Sequence, residues 1–154
     1  MTAAALGTIA GMRSMSAAAL LTHELAERRS PLADTTLGRL LTSERTSPVL
    51  TLFAGGEMLA DKSSFVPDRT SALPLAGRAL IGSLTAAAYA AHRRTPVAIP
   101  AAIGGIAAIA STFAAYHIRR LAGERFGIPD RLLGMAEDAI VVAASQGVIA
   151  ALDD

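Results

Sequence analysis

Five apolar stretches, separated by short polar segments, run along the chain and predict an all-α fold. The stretches cover residues 3–22, 49–61, 73–91, 97–116 and 132–152. Most of them approach the roughly 20 apolar residues that a helix needs to cross a bilayer. The stretch 97–116 contains no charged residue and is the clearest candidate span. The pattern predicts a single polytopic integral-membrane domain over residues 1–154 with about five transmembrane helices.

The polar segments supply helix boundaries. Ser47-Pro48 and Thr95-Pro96 combine a capping hydroxyl with a proline that lacks the N–H left unsatisfied in a first turn, so they mark the starts of the second and fourth stretches. Residues 33–45 place leucines beside charged side chains. This segment is predicted to be a short helix, either in the membrane interface or on a solvated surface.

Composition supports a membrane protein built on close helix contacts. Hydrophobic residues make up 52% of the chain and aromatic residues only 4%, so the apolar content is mostly small side chains, which allow helices to approach closely. The alternative is a soluble Ala-rich bundle.

The charge pattern excludes two other interpretations. A net charge of +1 argues against a nucleic-acid surface, which needs a basic stripe. No basic segment precedes the first stretch, so we interpret it as a retained helix rather than a signal peptide.

A face of small residues in the first stretch predicts helix packing. Gly7 and Gly11 form a Gly-x-x-x-Gly motif, and Gly104 and Ala108 repeat it as small-x-x-x-small. These faces are expected to pack helices within one chain or between two copies. Arg13 lies two positions after Gly11, about 200° around the helix, and is therefore predicted to point toward a different neighbour.

An internal repeat is the second prediction from this region. A shift of 97 positions lays residues 7–18 over 104–115, and a shift of 77 lays 58–61 over 135–138. If helices 1–2 recur as helices 4–5 around helix 3, the odd span between them makes the repeat inverted. Inverted repeats in transporters hold a midplane site at the repeat interface. Chance similarity of Gly/Ala-rich helices is the alternative.

Charged residues inside the apolar stretches are the candidate site. An unpaired arginine in hydrocarbon costs at least about 2.5 kcal/mol. Arg13 is therefore expected either to pair with an acidic residue or to have a functional role. Glu57 and Asp61 share a helix face, whereas Glu137 and Asp138 diverge by about 100°, so only one of those two is expected to face the interior. The residues predicted to bind an ion or solute are Arg13, Ser14, Glu57, Asp61, Lys62, Arg78, Glu137 and Asp138.

Alternative roles for these charges remain open at this stage. They could form a purely structural salt-bridge network, and Arg78, near the start of its stretch, is expected to reach the headgroups. No cofactor is expected. A divalent cation held by Glu57, Asp61 and either Glu137 or Asp138 is the one metal site considered. Lysine and arginine divide seven against six between the two sides of a five-span topology, which predicts no preferred orientation.

Several short motifs resemble those of a known family. They are Gly11-Met12-Arg13-Ser14, Glu57 with Asp61-Lys62, Pro67-x-Arg69, Arg78 with Gly82, and Glu137-Asp138. Together they resemble a family of small, uncharacterised bacterial integral-membrane proteins. The resemblance implies a multi-pass fold in the bacterial inner membrane and no established activity.

Two of the motifs also show a weaker resemblance to a family of enzymes. Arg13-Ser14 and Glu57-x-x-x-Asp61 are similar to motifs of polyprenyl-diphosphate phosphatases, although no Pro-Gly precedes the arginine here. The leading expectation is a small transporter or channel, acting as a homodimer in the lipid bilayer, for an ion or small anionic solute. A lipid-phosphate-processing enzyme and a membrane scaffold or assembly protein are the alternatives.

Overall fold

A computed structural model describes residues 2–27, 30, 32, 36–43, 45–60 and 70–153, and these residues contain helices and no strand. In chain order the helices are α1 (Thr2–Met12), α2 (Ser14–Glu27), α3 (Thr36–Leu41), α4 (Thr46–Ala60), α5 (Ala72–His92), α6 (Ala98–Phe126) and α7 (Asp130–Asp153). The all-α prediction is confirmed. The second, third and fifth stretches correspond closely to α4, α5 and α7, and the segment 33–45 contains α3.

The first apolar stretch is two helices rather than the single helix that was predicted. α1 ends at Met12 and α2 begins at Ser14, with Arg13 between them. The break has no counterpart in the second half of the chain, because α6 passes through Ala110, the position aligned with Arg13, without interruption. Any repeat of α1 in α6 is therefore asymmetric at this point.

The fourth stretch continues past its predicted end. α6 runs to Phe126 and stops at Gly127, whose φ of 62° places it in the left-handed region, and whose N–H donates to the carbonyl of Gly123 at 3.1 Å. Glycine adopts this conformation without a Cβ clash, which makes it a common helix terminator. Asp130 then opens α7.

Helices α1, α5 and α6 pack through small residues at the centre of the fold. A Cβ placed on Gly7, Gly11, Gly82 or Gly104 would come within 3.0 Å of backbone atoms of a neighbouring helix. Gly7 meets Gly104, and Gly11 meets Ala108. The two small-residue faces that the sequence relates by the repeat thus pack directly against each other within one chain.

The remaining helices surround this trio and determine what Arg13 contacts. α2 packs against α4 and α5, and α7 packs chiefly against α1. Because α1 touches α5, α6 and α7, the break at its end lies where side chains from several helices meet.

Large apolar side chains lie on the outer surface, and two arginines lie inside. Large side chains such as Leu80 on α5, Ile106 on α6 and Ile140 on α7 are exposed, whereas Arg13 and Arg78 are buried. Within the described part of the chain, α6 is the one helix that is both long enough and apolar enough to cross a membrane. The prediction of five spans is not met by this criterion and stays a prediction.

The tight packing around Gly11 predicts opposite effects of the same substitution at two glycines. Gly11→Ala should lower the free energy of unfolding by about 1–3 kcal/mol because the added methyl group overpacks the α1–α6 contact. Gly77→Ala in α5 has open space around its Cβ and should stabilise the helix by about 0.5–1 kcal/mol. Thermal unfolding in detergent measures both. Equal melting temperatures for the two variants would contradict the described packing.

Candidate functional site

The carbonyl end of α1 is satisfied by side chains from two other helices. The carbonyl of Gly11 accepts hydrogen bonds from Arg78 Nη1 on α5 and from Thr112 Oγ1 on α6, the latter at 2.9 Å. Arg78 Nη1 also donates to the carbonyl of Met12 at 3.1 Å. A cation therefore lies at the helix terminus that carries partial negative charge.

The N–H end of α2 is satisfied by a carboxylate from α4. The N–H of Ser14 donates to Glu57 Oε1 at 3.1 Å, and the N–H of Met15 donates to Glu57 Oε2 at 2.9 Å. The Ser14 hydroxyl lies 3.4 Å from the same Oε1. An anion thus caps the terminus that carries partial positive charge, where helix caps and the helix dipole both favour it.

Glu57 and Arg78 also contact each other and join the two helix termini. Arg78 Nη2 lies 3.6 Å from Glu57 Oε1. The Arg78 side chain is only 9% exposed, so the expectation that it reaches the lipid headgroups is wrong. Its guanidinium instead turns inward because the open carbonyls of α1 and the Glu57 carboxylate offer acceptors that an apolar surrounding cannot.

Arg13 is fully buried and is paired with Asp138 on α7. Its Nε donates to Asp138 Oδ1 at 2.8 Å, and its Nη2 lies 2.6 Å from the same oxygen. The exposed fraction of the Arg13 side chain is 0%. The partner that the sequence required for a buried arginine is therefore this carboxylate, 125 positions away in the chain.

Glu137 belongs to a second charged cluster rather than to the break. It is 5% exposed and accepts a hydrogen bond from Arg119 Nη1 of α6 at 3.0 Å, while Arg119 Nη2 lies 2.8 Å from Asp130 Oδ2. The expectation that only one of Glu137 and Asp138 faces the interior is wrong. The two carboxylates diverge, but each meets a different arginine.

Sequence reasoning missed Thr112 and Arg119. Thr112 lies in an uncharged apolar stretch, and Arg119 lies in the polar segment after it, so neither was singled out. The two positions are seven residues apart, which places them on one face of α6. The spacing of the two residues on one helix face was the available signal.

Two of the carboxylates predicted to bind a metal have other partners in the structure. Glu57 is engaged by the N–H groups of α2, and Asp138 by Arg13. The predicted site residues Asp61 and Lys62 lie outside the described residues. The structure gathers metal-type donors elsewhere, at His23, Glu24 and Glu27 on α2, whose ligand atoms lie within 4.8 Å of one another.

The charged side chains at the break between α1 and α2 carry equal numbers of positive and negative charges. Arg13 and Arg78 oppose Glu57 and Asp138, so the four groups sum to zero when all are ionised. A single ion that entered this set would add its own charge to a buried neutral site, so binding is least costly when a proton or a second, opposite ion enters with it. For Arg13 to hold a phosphate, as the enzyme alternative requires, it would have to leave Asp138 and gain access to solvent.

The pairing of Arg13 with Asp138 predicts strong non-additivity. Arg13→Met alone or Asp138→Leu alone should cost about 3–5 kcal/mol of stability, because each leaves a buried charge without its partner. The double variant should recover most of that loss. Chemical unfolding of the four proteins in detergent gives the coupling energy. Additive effects would rule out the pair.

A matched control for that cycle is an exposed ion pair on α6. Arg120 and Glu124 lie 2.8 Å apart with more than half of each side chain exposed. Arg120→Ala should change stability by no more than about 0.5 kcal/mol, since exposed pairs contribute little.

The cap on α2 predicts a local effect of Glu57→Ala. Removing the carboxylate leaves the N–H groups of Ser14 and Met15 without their acceptors, so their hydrogen exchange should accelerate at least about tenfold. Amide exchange followed by NMR in detergent resolves these positions. Glu124→Ala, on the exposed surface of α6, should leave the same amides unchanged. Unaltered protection of Ser14 and Met15 in the Glu57 variant would refute the cap.

Comparison with known proteins does not assign the chain to a family. The chain matches no protein-family profile, no curated protein and no solved structure. The resemblance to small bacterial membrane proteins therefore stays a prediction.

Proposed function

We propose that the chain is a small multi-pass membrane transporter or channel whose internal site is the break between α1 and α2. The observation that carries the proposal is the pairing of both broken helix ends with opposite charges, Arg78 at the carbonyl end and Glu57 at the N–H end. Transporters use discontinuous helices of this kind to present helix termini and charged side chains to an ion or substrate.

The distribution of polarity supports a membrane location. Large leucine and isoleucine side chains are exposed on α5 and α6 while Arg13 and Arg78 are buried, a distribution that favours an apolar surrounding. α6 is long and apolar enough to cross a membrane, and α5 and α7, with 21 and 24 residues, have a sufficient length of about 31 and 36 Å although they are less apolar. The proposal places the chain in the bacterial inner membrane, as a homodimer because five short spans enclose little space.

The Arg13–Asp138 pair suggests how the site is used. A cation or proton that binds Asp138 weakens its attraction for Arg13, and the guanidinium then becomes available to an anionic group. In the reverse step the pair re-forms and both ligands leave. Since a charge at the centre of a membrane is costly, the two ligands are expected to bind together rather than singly.

The second candidate is a membrane scaffold or assembly protein in which the charges only hold helices together. The observation that favours it is that the three buried or nearly buried arginines described here, Arg13, Arg78 and Arg119, each contact a carboxylate. A structural network requires no more than this.

Ion flux in proteoliposomes separates the two candidates. Wild-type protein should conduct at least one of H⁺, Na⁺, K⁺, Cl⁻ or phosphate above the rate of empty liposomes. Asp138→Asn should reduce that flux at least about tenfold, which requires only about 1.4 kcal/mol in barrier height. Glu124→Gln is the control and should conduct normally.

Folding of each variant is checked by its elution profile and melting temperature. Normal flux in a folded Asp138→Asn protein would remove this carboxylate from the proposed mechanism. Absence of wild-type flux for the whole ion panel would favour the scaffold.

A further inference from the structure

A second polar feature lies between α2, α4 and α7. A cavity of about 350 Å³ separates these helices, and hydrogen-bonding side chains from all three line it. They are Ser16, Ser47, Thr51, Ser145 and Gln146, together with His23. The rest of the lining is apolar. We call this cavity the α2–α4–α7 groove.

Ser16 is a buried residue in the wall of the groove. Its side chain is 9% exposed, and within the described part of the chain its hydroxyl makes no hydrogen bond. A buried hydroxyl without a partner is unfavourable, and such groups are normally satisfied by water or a ligand. Serine, threonine and glutamine side chains line the same groove and offer hydrogen-bond partners to water there.

The inner end of the groove approaches the charged break along all three helices. Ser16 lies two residues after Ser14, Ala54 lies three residues before Glu57, and Val141 lies three residues after Asp138. Each step is within one helical turn. Three independent helices therefore lead from this groove to the residues that form the proposed site.

Carboxylates lie near the outer end of the groove. An adjoining cavity shares His23, Ser47 and Thr51 with the groove and adds Glu27. His23, Glu24 and Glu27 lie in the last two turns of α2, where the helix dipole is negative. No lysine or arginine is among the described residues that line either cavity. Arg28 and Arg29, which follow Glu27 in the sequence, lie outside the described residues.

We infer that the α2–α4–α7 groove is a hydrated path by which small cations reach the break from the His23–Glu27 end. The inference rests on the proposed transport function and specifies its route and its charge preference. Hydroxyl and amide oxygens replace part of the hydration shell of a cation. The carboxylates at the outer end raise the local cation concentration.

The absence of cysteine from the chain permits a direct test. Single variants Ser16→Cys and Thr51→Cys are placed in liposomes and treated with a cationic and an anionic methanethiosulfonate of similar size. Both cysteines should react with the cationic reagent, at least about tenfold faster than with the anionic one. Controls at lipid-facing positions, Leu80→Cys and Ile106→Cys, should not react.

The charge preference has its own control. Adding Glu27→Gln to Thr51→Cys should lower the ratio of the two reaction rates, whereas adding Glu124→Gln on the exposed surface of α6 should not. Equal rates for the two reagents at Thr51→Cys would overturn the cation preference. Unreactive cysteines at both groove positions would overturn the path.

The outcomes also distinguish this inference from the proposed function. Normal wild-type flux with unreactive groove cysteines would remove the path and leave transport standing. Reactive, charge-selective groove cysteines in a protein without flux would support the hydrated groove and overturn transport.

Discussion

A helix that stops inside an apolar bundle leaves N–H and carbonyl groups that must find partners. At the junction of α1 and α2 those partners are Glu57 and Arg78, and both come from other helices. In water the solvent would satisfy the same groups, but in an apolar setting each unsatisfied group is costly. The position of α4 and α5 around the break follows from this requirement.

The small residues of α1, α5 and α6 make the arrangement geometrically feasible. Close contacts at Gly7, Gly11, Gly82 and Gly104 bring the three backbones together, so the Arg78 side chain and the Thr112 hydroxyl can reach the carbonyl of Gly11. A larger side chain at Gly11 would push α6 away from α1. The packing face and the charged site, which point in different directions from α1, therefore depend on each other.

Charge balance then connects the break to α7. Arg13 occupies the single residue between two helices and is paired with Asp138, so the buried site keeps no net charge as described. A second cluster, in which Arg119 contacts Glu137 and Asp130, holds α6 against α7 nearby. Two independent pairs on adjacent residues of α7 fix its rotation, because turning the helix would break both.

The helical elements could be predicted from sequence because apolar stretches and Ser/Thr-Pro starts are local features. The break could not, since the apolar pattern continues through Arg13 and the partners of the break lie 42 to 101 positions away. Arg78 was assigned to the headgroups because its position near a helix start suggested it, and only the open carbonyls of α1 explain its inward direction. The sequence indicates that Glu57, Glu137 and Asp138 need partners, but their individual partners depend on tertiary contacts.

The most direct test of the central claim is ion flux through the charge-neutral double variant, Arg13→Met with Asp138→Leu, reconstituted in proteoliposomes. The account predicts a folded protein, close to wild type in stability, that has lost its flux because the exchangeable pair at the helix break is gone. Wild-type flux through this stable double variant would show that the buried pair only holds the helices together, and would contradict the account.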